Sequence, residues 1–383
     1  MRILHTSDWH LGRSFHRENL IGAQAAFVDH LVETVRAERV DVVAVAGDLY
    51  DRALPPIDAV RLFGEALARI RDTGARAVLV SGNHDSMVRL AYAAELIDAA
   101  GVHLRSSLDG VGQPVIVEDA HGPVAFYGIP YLEPEIVRHH WNLPDRSHAT
   151  ALGHAMDLVR ADLATRPAGA RSVVLSHAFV VGGEPSDSER DITVGGAAHV
   201  PAGVFDGVDY VALGHLHGAQ RMAPGVRYSG SPLAYSFSEE HHVKGSWLVE
   251  LSATGLSGAE FVPAPVPRRI ARIRGRIEDL LSEPEWERYT DHWLQVTLTD
   301  PVRPGFPMDR LRERFPHALH LDFAPEGGSS DGGVSWAERV AERSEPELVL
   351  DFVDWARGTA ASPAERRLIE TAFEQVRQRE AGR

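Results

Sequence analysis

The stretches VDVVAVAGD (40–48) and ARAVLVSGN (75–83) constrain the fold more than any other feature of the chain. Both are rich in Val and Ala, do not alternate apolar with polar residues, and end in Gly plus a polar side chain. A strand apolar at consecutive positions has both faces covered, the condition of a parallel sheet packed between other layers. Between them, PIDAVRLFGEALARIRDTG (56–74) carries Val60, Phe63, Leu67 and Ile70 at helical spacing, with Pro56 and Asp58 suited to its first turn. Phe27, Leu31, Val32 and Val35 mark another helix over roughly 20–38. The order predicts a β-α-β-α-β run. Further strands are expected at VAFYGIP (124–130), RSVVLSH (171–177), VDYVALGH (208–215) and SWLVELSAT (246–254), with a helix at ATALGHAMDLVRADLA (149–164). Residues 1–265 read as one large α/β domain.

Composition shifts at PAPVPRR (263–269). Residues 266–325 read as a small α/β unit. Strands are expected near Ile270–Arg274, at HWLQVTLTD (292–300) and at HALHLDF (317–323), with helices near Ile277–Leu281 and Asp309–Phe315. EGGSSDGG (326–333) has the composition of a flexible linker. Residues 334–383 read as helices. One contains Leu348, Phe352 and Trp355; the last starts near Ser362 and Pro363 and places Leu368, Ile369, Ala372, Phe373 and Val376 on one face.

Bulk properties narrow the chemistry. In 383 residues, 44% hydrophobic and 24% charged content suits large buried cores. The absence of cysteine excludes disulfides, thiolate nucleophiles and thiolate metal sites. No apolar run approaches the ~20 residues that span a bilayer, and the start lacks a signal-peptide pattern, so a soluble, cytoplasmic protein is expected. A net charge of −15 argues against nucleic-acid binding by broad electrostatics. A phosphate-rich ligand would have to be drawn in locally, by a few arginines or by metal ions.

Five expected strands end in metal-capable residues. SDWH supplies Asp8 and His10, AGDLYD supplies Asp48 and Asp51, GNHD supplies Asn83, His84 and Asp85, LSH supplies His177, and LGHLH supplies His215 and His217. Ligands of open α/β sheets bind at the carboxyl ends of the strands. Asp8 with His10, and His215 with His217, are spaced i, i+2, which in extended chain puts both side chains on one side. Each motif alone is an ordinary turn or a packed histidine; all five after apolar strands point to a site. Nine of the other histidines (His16, His103, His121, His139, His140, His154, His241, His242 and His292) follow no strand-end pattern and read as surface or packing residues. Oxygen and imidazole ligands without sulfur suit Mn²⁺, Mg²⁺, Fe²⁺ or Zn²⁺. Seven such ligands imply two ions, with Asp48 able to bridge them. Such a pair leaves the pocket cationic and can clamp both oxygens of an in-line displacement at a phosphodiester.

These blocks resemble the calcineurin-like metallophosphoesterases, whose signature D-x-H, G-D-x-x-D, G-N-H-[DE], H and G-H-x-H is present unbroken. MRILHTSDWHLG, SDSERDITVGG, VDYVALGHLH and VRYSGSPLAYSFSEE narrow the similarity to the nuclease subunits of bacterial SbcCD complexes. It is firm over about 1–245 and one of layout beyond. The resemblance implies a β-sandwich flanked by helices, a capping domain over DNA, and a C-terminal helical segment (334–383) docked on the coiled coil of an SMC-like ATPase. It implies one metal on Asp8, His10, Asp48 and His217 and a second on Asp48, Asn83, His177 and His215, with Mn²⁺ the first expectation. His84 would then protonate the leaving oxygen or stabilise the transition state, Asp85 would orient the loop, and the Asp51 side chain would hydrogen-bond His84. The implied activities are ATP-dependent 3′→5′ exonuclease on duplex ends and endonuclease on single strands and hairpins, in DNA repair, replication and recombination. A homodimer within a heterotetramer is also implied. The rival readings are a small-molecule or cyclic-nucleotide phosphoesterase and a non-catalytic DNA-end tether. Two peripheral features carry expectations of their own. Arg272, Arg274 and Arg276 alternate, so in a strand they would share one face, as a phosphate-contacting ridge or as a solvated edge. The apolar C-terminal helices would serve a partner or pack back on the body.

Overall fold

The computed structural model describes residues 1–92, 94–190, 200–326, 344–357 and 359–381. It has two compact units, Met1–Pro267 and Arg268–Arg383. The strands of the first are β1 (Arg2–Thr6), the short hairpin β2 (Ser14–Phe15) and β3 (Glu18–Asn19), β4 (Val42–Ala46), β5 (Arg76–Val80), β6 (Val102–Arg105), β7 (Val115–Asp119), β8 (Gly122–Ile129), β9 (Arg171–His177), β10 (Tyr210–Gly214), β11 (Gln220–Ala223), β12 (Val226–Tyr228), β13 (Gly245–Ser252) and β14 (Gly255–Pro263). They form two six-stranded sheets, ordered β14-β13-β1-β4-β5-β6 and β11-β12-β10-β9-β8-β7. In each sheet four neighbouring strands run parallel, β1-β4-β5-β6 and β12-β10-β9-β8; antiparallel β13 and β14 finish one edge of the first sheet, and antiparallel β11 and β7 finish the two edges of the second.

The sheets pack face to face over Ile3, Ala44, Val80, Phe126, Leu175 and Ala212. Helices Ile21–Ala37 and Ile57–Asp72 cover the outer side of the first sheet, setting Phe27, Leu31 and Phe63 against Val43, Val45 and Leu79. Helices Pro134–Trp141 and His148–Leu163 cover the second, setting Val137, Leu152 and Met156 against Tyr127, Val174 and Leu213. This is the α/β sandwich flanked by helices. It explains why β4 is apolar throughout: Val42, Ala44 and Ala46 face the other sheet while Val43 and Val45 face helices. Burying each such side chain contributes roughly 1.5–3 kcal/mol. Most strands absent from the sequence reading lie at sheet edges. β7 alternates buried and exposed positions, as an edge strand does, and β6 and β12 are only a few residues long.

Register sets the site. Leu4 pairs with Val43, and Val43 with Ala77, so β1, β4 and β5 end side by side. His177 pairs with Gly214 at the end of the second sheet. At this edge the sheets nearly touch: a Cβ on Gly214 would lie 1.9 Å from the Ala46 carbonyl oxygen. Within the first sheet the β5 turn crowds the β4 turn: a Cβ on Gly82 would lie 2.1 Å from Asp48 Oδ1.

In the second unit, parallel strands β15 (Ile270–Gly275), β16 (Trp293–Leu298) and β17 (Ala318–Phe323) are linked by helices Ile277–Ser282 and Pro307–Arg314 around Ile273, Leu280, Val296, Leu311 and Phe315. Arg272 and Arg274 are exposed on one face of β15 and Ala271 and Ile273 are buried on the other. Helices Glu345–Arg357 and Pro363–Ala381 follow, joined by Arg357 bonding both oxygens of Glu365 at 2.8 and 3.0 Å. Residues 327–333 of the expected linker and the Trp355 side chain lie outside the described residues.

Candidate metal centre

The turns after β1, β4, β5, β9 and β10 deliver the expected side chains to one buried place. Asp8, His10, His177, His215 and His217 are buried, as is Asp48. Ligand-type atoms of Asp8, His10 and His217 lie within 4.8 Å of one another, as do those of Asp8, Asp48 and His177, and those of His10, Asp48 and His84. Asn83 joins through its Oδ1, 2.8 Å from His177 Nε2. His215 stands in none of the three groups. Its ring centroid lies 5.4 Å from that of His177, and its N–H donates to both oxygens of Asp8 at 3.1 Å. The turns are strained to achieve this. Asp8, His10, Asp48 and His215 have φ of 53°, 44°, 48° and 109°, a region that costs a non-glycine residue about 1–3 kcal/mol.

The electrostatics are those of a site built for cations. Burial, then the neighbouring Asp48 charge, push the Asp8 carboxyl well above its usual range. Burial holds His10, His177 and His215 below the usual imidazole value, His10 and His215 far below it. Neutral imidazoles and close carboxylates are what a divalent ion binds. The donor geometry agrees. His10 Nε2 and His217 Nε2 face each other at 3.1 Å, and His10 Nε2 and His177 Nε2 approach Asp48 Oδ2 at 3.5 and 3.6 Å. Asn83 Nδ2 and His10 Nδ1 are buried with no hydrogen-bond partner among the described residues. Two facing imidazole nitrogens and two close carboxylates, with no Lys or Arg ion-paired to Asp8 or Asp48 among the described residues, fit divalent metals.

The loop around His84 differs from the sequence-based expectation at one contact. His84 Nδ1 meets the main-chain carbonyl of Asp51 at 2.7 Å, not its carboxylate. The Asp51 carboxylate points elsewhere, 3.9 Å from His10 Nδ1 and 3.8 Å from Arg13 Nε. A tight turn carries the Asp51 oxygen to the ring, which residue spacing cannot reveal. Asp85 accepts from the N–H groups of Leu49, Tyr50 and Gly82 at 3.0, 3.0 and 2.9 Å, stitching the β4 turn to the β5 turn. Burial and the Asp48 charge push its carboxyl up to about 7, against those three donors.

Sequence reasoning missed the residues that grip the ligands. Ser7 donates to Asp8 at 2.5 Å. The Tyr235 hydroxyl donates to the Trp9 carbonyl, its ring edge-on to His10, and Arg13 lies over it at 4.8 Å. Glu189 accepts the His217 N–H at 2.7 Å. The sequence signal for these was their place in or beside quoted blocks: Ser7 within MRILHTSDWHLG and Arg13 just after it, Glu189 within SDSER and Tyr235 within AYSFSEE.

Residues 1–219 match the calcineurin-like phosphoesterases. The chain belongs to that family. Residues 266–354 match the SbcD-type C-terminal domain, described as the type 5 capsule protein repressor C-terminal domain. The pairing of these two domains in one phosphoesterase is consistent with an SbcD nuclease subunit. Among solved structures this phosphoesterase is similar to a dimetal phosphatase from Danio rerio (16% identity, TM-score 0.41, covering 69% of this chain and 99% of that one). It is also similar to TT1561 of Thermus thermophilus (15%, 0.40, 68% and 98%). A third is GAP50, the anchor in the inner membrane complex of Plasmodium (13%, 0.41, 86% and 98%).

Proposed function

We propose that this chain is the nuclease subunit of an SbcCD-type complex, hydrolysing DNA phosphodiesters in repair, replication and recombination. The observation that carries this reading is the joining, in one chain, of a buried Asp/His/Asn cluster of the phosphoesterase family to an SbcD-type C-terminal domain. Asp8, His10, Asp48 and His217 would hold one divalent ion, and Asp48, Asn83, His177 and His215 a second, with Mn²⁺ the first choice. When bound, such ions supply an activated water and neutralise phosphate charge. His84 would face the scissile phosphate. The Asp51 carbonyl only accepts, so His84 Nδ1 keeps its proton, and Nε2 is the ring atom left for the leaving oxygen. To donate there the ring must be the imidazolium.

A coiled-coil SMC-like ATPase would bind residues 334–383, and the nuclease would act as a homodimer within a heterotetramer. Supporting association are large apolar side chains left in solvent: Val88, Tyr92 and Leu96 near the His84 turn are 82%, 87% and 80% exposed, and Leu368 is 71% exposed. The ridge of Arg272 and Arg274 would contact the DNA backbone. The test offers the full chain Mn²⁺ with 5′-labelled duplex, hairpin and single-stranded DNA, with and without the ATPase and ATP, and with a cyclic nucleotide in parallel. Stepwise 3′ shortening that needs ATP and partner, with hairpin opening, is expected. Hydrolysis of the cyclic nucleotide with DNA left intact would overturn the proposal.

A further inference from the structure

The ion pair between Glu239 and Lys244 is fully buried, Glu239 at 0% side-chain exposure and Lys244 at 5%. Such a pair stabilises a fold little better than apolar residues of the same volume. Its hydrogen bonds show another use. The Lys244 ammonium has three protons, and they reach Glu239 Oε2, the His217 carbonyl (2.8 Å) and Ser231 Oγ (3.0 Å). Glu239 Oε1 takes the Ser188 hydroxyl at 2.5 Å, and the same hydroxyl oxygen lies 2.5 Å from His217 Nδ1.

The donor count fixes the protons. A carboxylate paired with a lysine can only accept, so the one hydroxyl proton of Ser188 goes to Glu239. Ser188 Oγ must then accept from the ring, which places the imidazole proton on Nδ1. Nε2 is left with its lone pair, and Nε2 is the atom that faces His10. His217 is thus held at its N–H by Glu189, at its carbonyl by Lys244 and at its ring by Ser188.

We infer that Ser188, Glu239 and Lys244 form a positioning relay that locks His217 in its Nδ1-protonated tautomer, and so sets the affinity of the metal position built on Asp8, His10 and His217. This rests on the reading of the cluster as a metal centre. The relay also gives a role to the Ser186–Glu189 stretch, whose residues bond to Glu239 and His217 as well as to one another. Partners that fix the free nitrogen of a ligating histidine commonly change metal affinity 10–100-fold.

Two readouts on the full chain test it. The first is the ¹⁵N spectrum of His217 in metal-free protein, assigned by difference with His217→Gln. It should show protonated Nδ1 in the wild type and a tautomer mixture in Ser188→Ala. The second is Mn²⁺ titration of stripped protein by calorimetry. Two ions are expected in the wild type, with one weakened 10–100-fold in Ser188→Ala and in Glu239→Gln and the other retained. Unchanged affinity and an unchanged tautomer in Ser188→Ala would overturn the relay. So would loss of both ions with a lowered melting temperature, which marks a general structural role. If Glu239→Gln does not fold, Ser188→Ala decides, since it leaves the buried ion pair intact. A wild type that takes up no Mn²⁺ would sink the metal reading instead, and the tautomer spectrum would still judge the relay.

Discussion

At the scale of single residues, the two side chains of the His84 turn have separable roles. His84→Ala removes the ring and leaves every expected metal ligand in place. It is expected to slow DNA cleavage about 10²–10⁴-fold with Mn²⁺ uptake unchanged, the range for a positioned acid–base group. Asp51→Asn keeps the carbonyl that holds His84 Nδ1, so it should cost far less; single-turnover rates on end-labelled DNA compare the two. His5 carries a different prediction. It is wholly buried between the Tyr210 hydroxyl at 2.9 Å and the Leu213 carbonyl at 3.1 Å. Burial is the main cause that lowers its imidazole from the usual 6.5 to about 3. The folded chain therefore keeps His5 neutral where the unfolded chain binds a proton. The stability this gives is complete above pH 6.5 and is lost as pH falls toward 3, by about 1.4 kcal/mol per unit. His5→Gln should flatten that pH dependence by the same amount in urea unfolding at pH 7, 6 and 5. The five strand-end motifs were readable at this scale because they recur together, each just after an apolar strand, which chance turns and packed histidines do not explain. The Asp51 carbonyl contact and the grip of Glu239, Ser188 and Lys244 on His217 were not, because main-chain carbonyls carry no residue signature and Glu and Lys ordinarily signify surface.

At the scale of elements, the ends of β4 and β10 decide how close the sheets come. A Cβ on Gly214 would overlap the Ala46 carbonyl at 1.9 Å, and backbone cannot swing aside as a side chain can. Gly214→Ala is expected to destabilise the first unit by about 3 kcal/mol or more, and to loosen Mn²⁺ binding by moving His215 and His217; urea unfolding and metal titration measure the two. In the second unit the alternation of β15 is decisive: Ala271 and Ile273 in, Arg272 and Arg274 out. Arg272→Glu with Arg274→Glu should leave that core intact, weaken duplex binding and flatten its dependence on salt, while cleavage of a small chromogenic diester stays normal. Equal salt slopes would assign the arginines to a merely solvated edge. The βαβαβ order of this unit was legible because its strands alternate cleanly and its helices carry apolar spacing. β6, β7, β11, β12 and β14 were not, being short or half-exposed strands with weak patterns.

At the scale of the whole molecule, the chain joins a metal-type site in one compact unit to a second unit with exposed apolar helices. Leu368, 71% exposed on the last helix, is mostly in solvent and has little packing that would require leucine among the described residues. Leu368→Glu should leave melting temperature unchanged and reduce co-purification of the coiled-coil ATPase at least tenfold; full retention of the partner would assign docking elsewhere. The sequence by itself determined the α/β class, the order of the central strands and long helices, and the residues that gather at the strand ends, because apolar periodicity and strand-end chemistry are local properties of the chain. Only the tertiary structure decided which strands fall in which sheet and in what order, which ligand atoms come within reach of one another, and how Ser188, Glu189 and the Asp51 carbonyl hold the rings. Those depend on contacts between residues as far apart as Asp8 and His215, and local pattern carries no information about such distances.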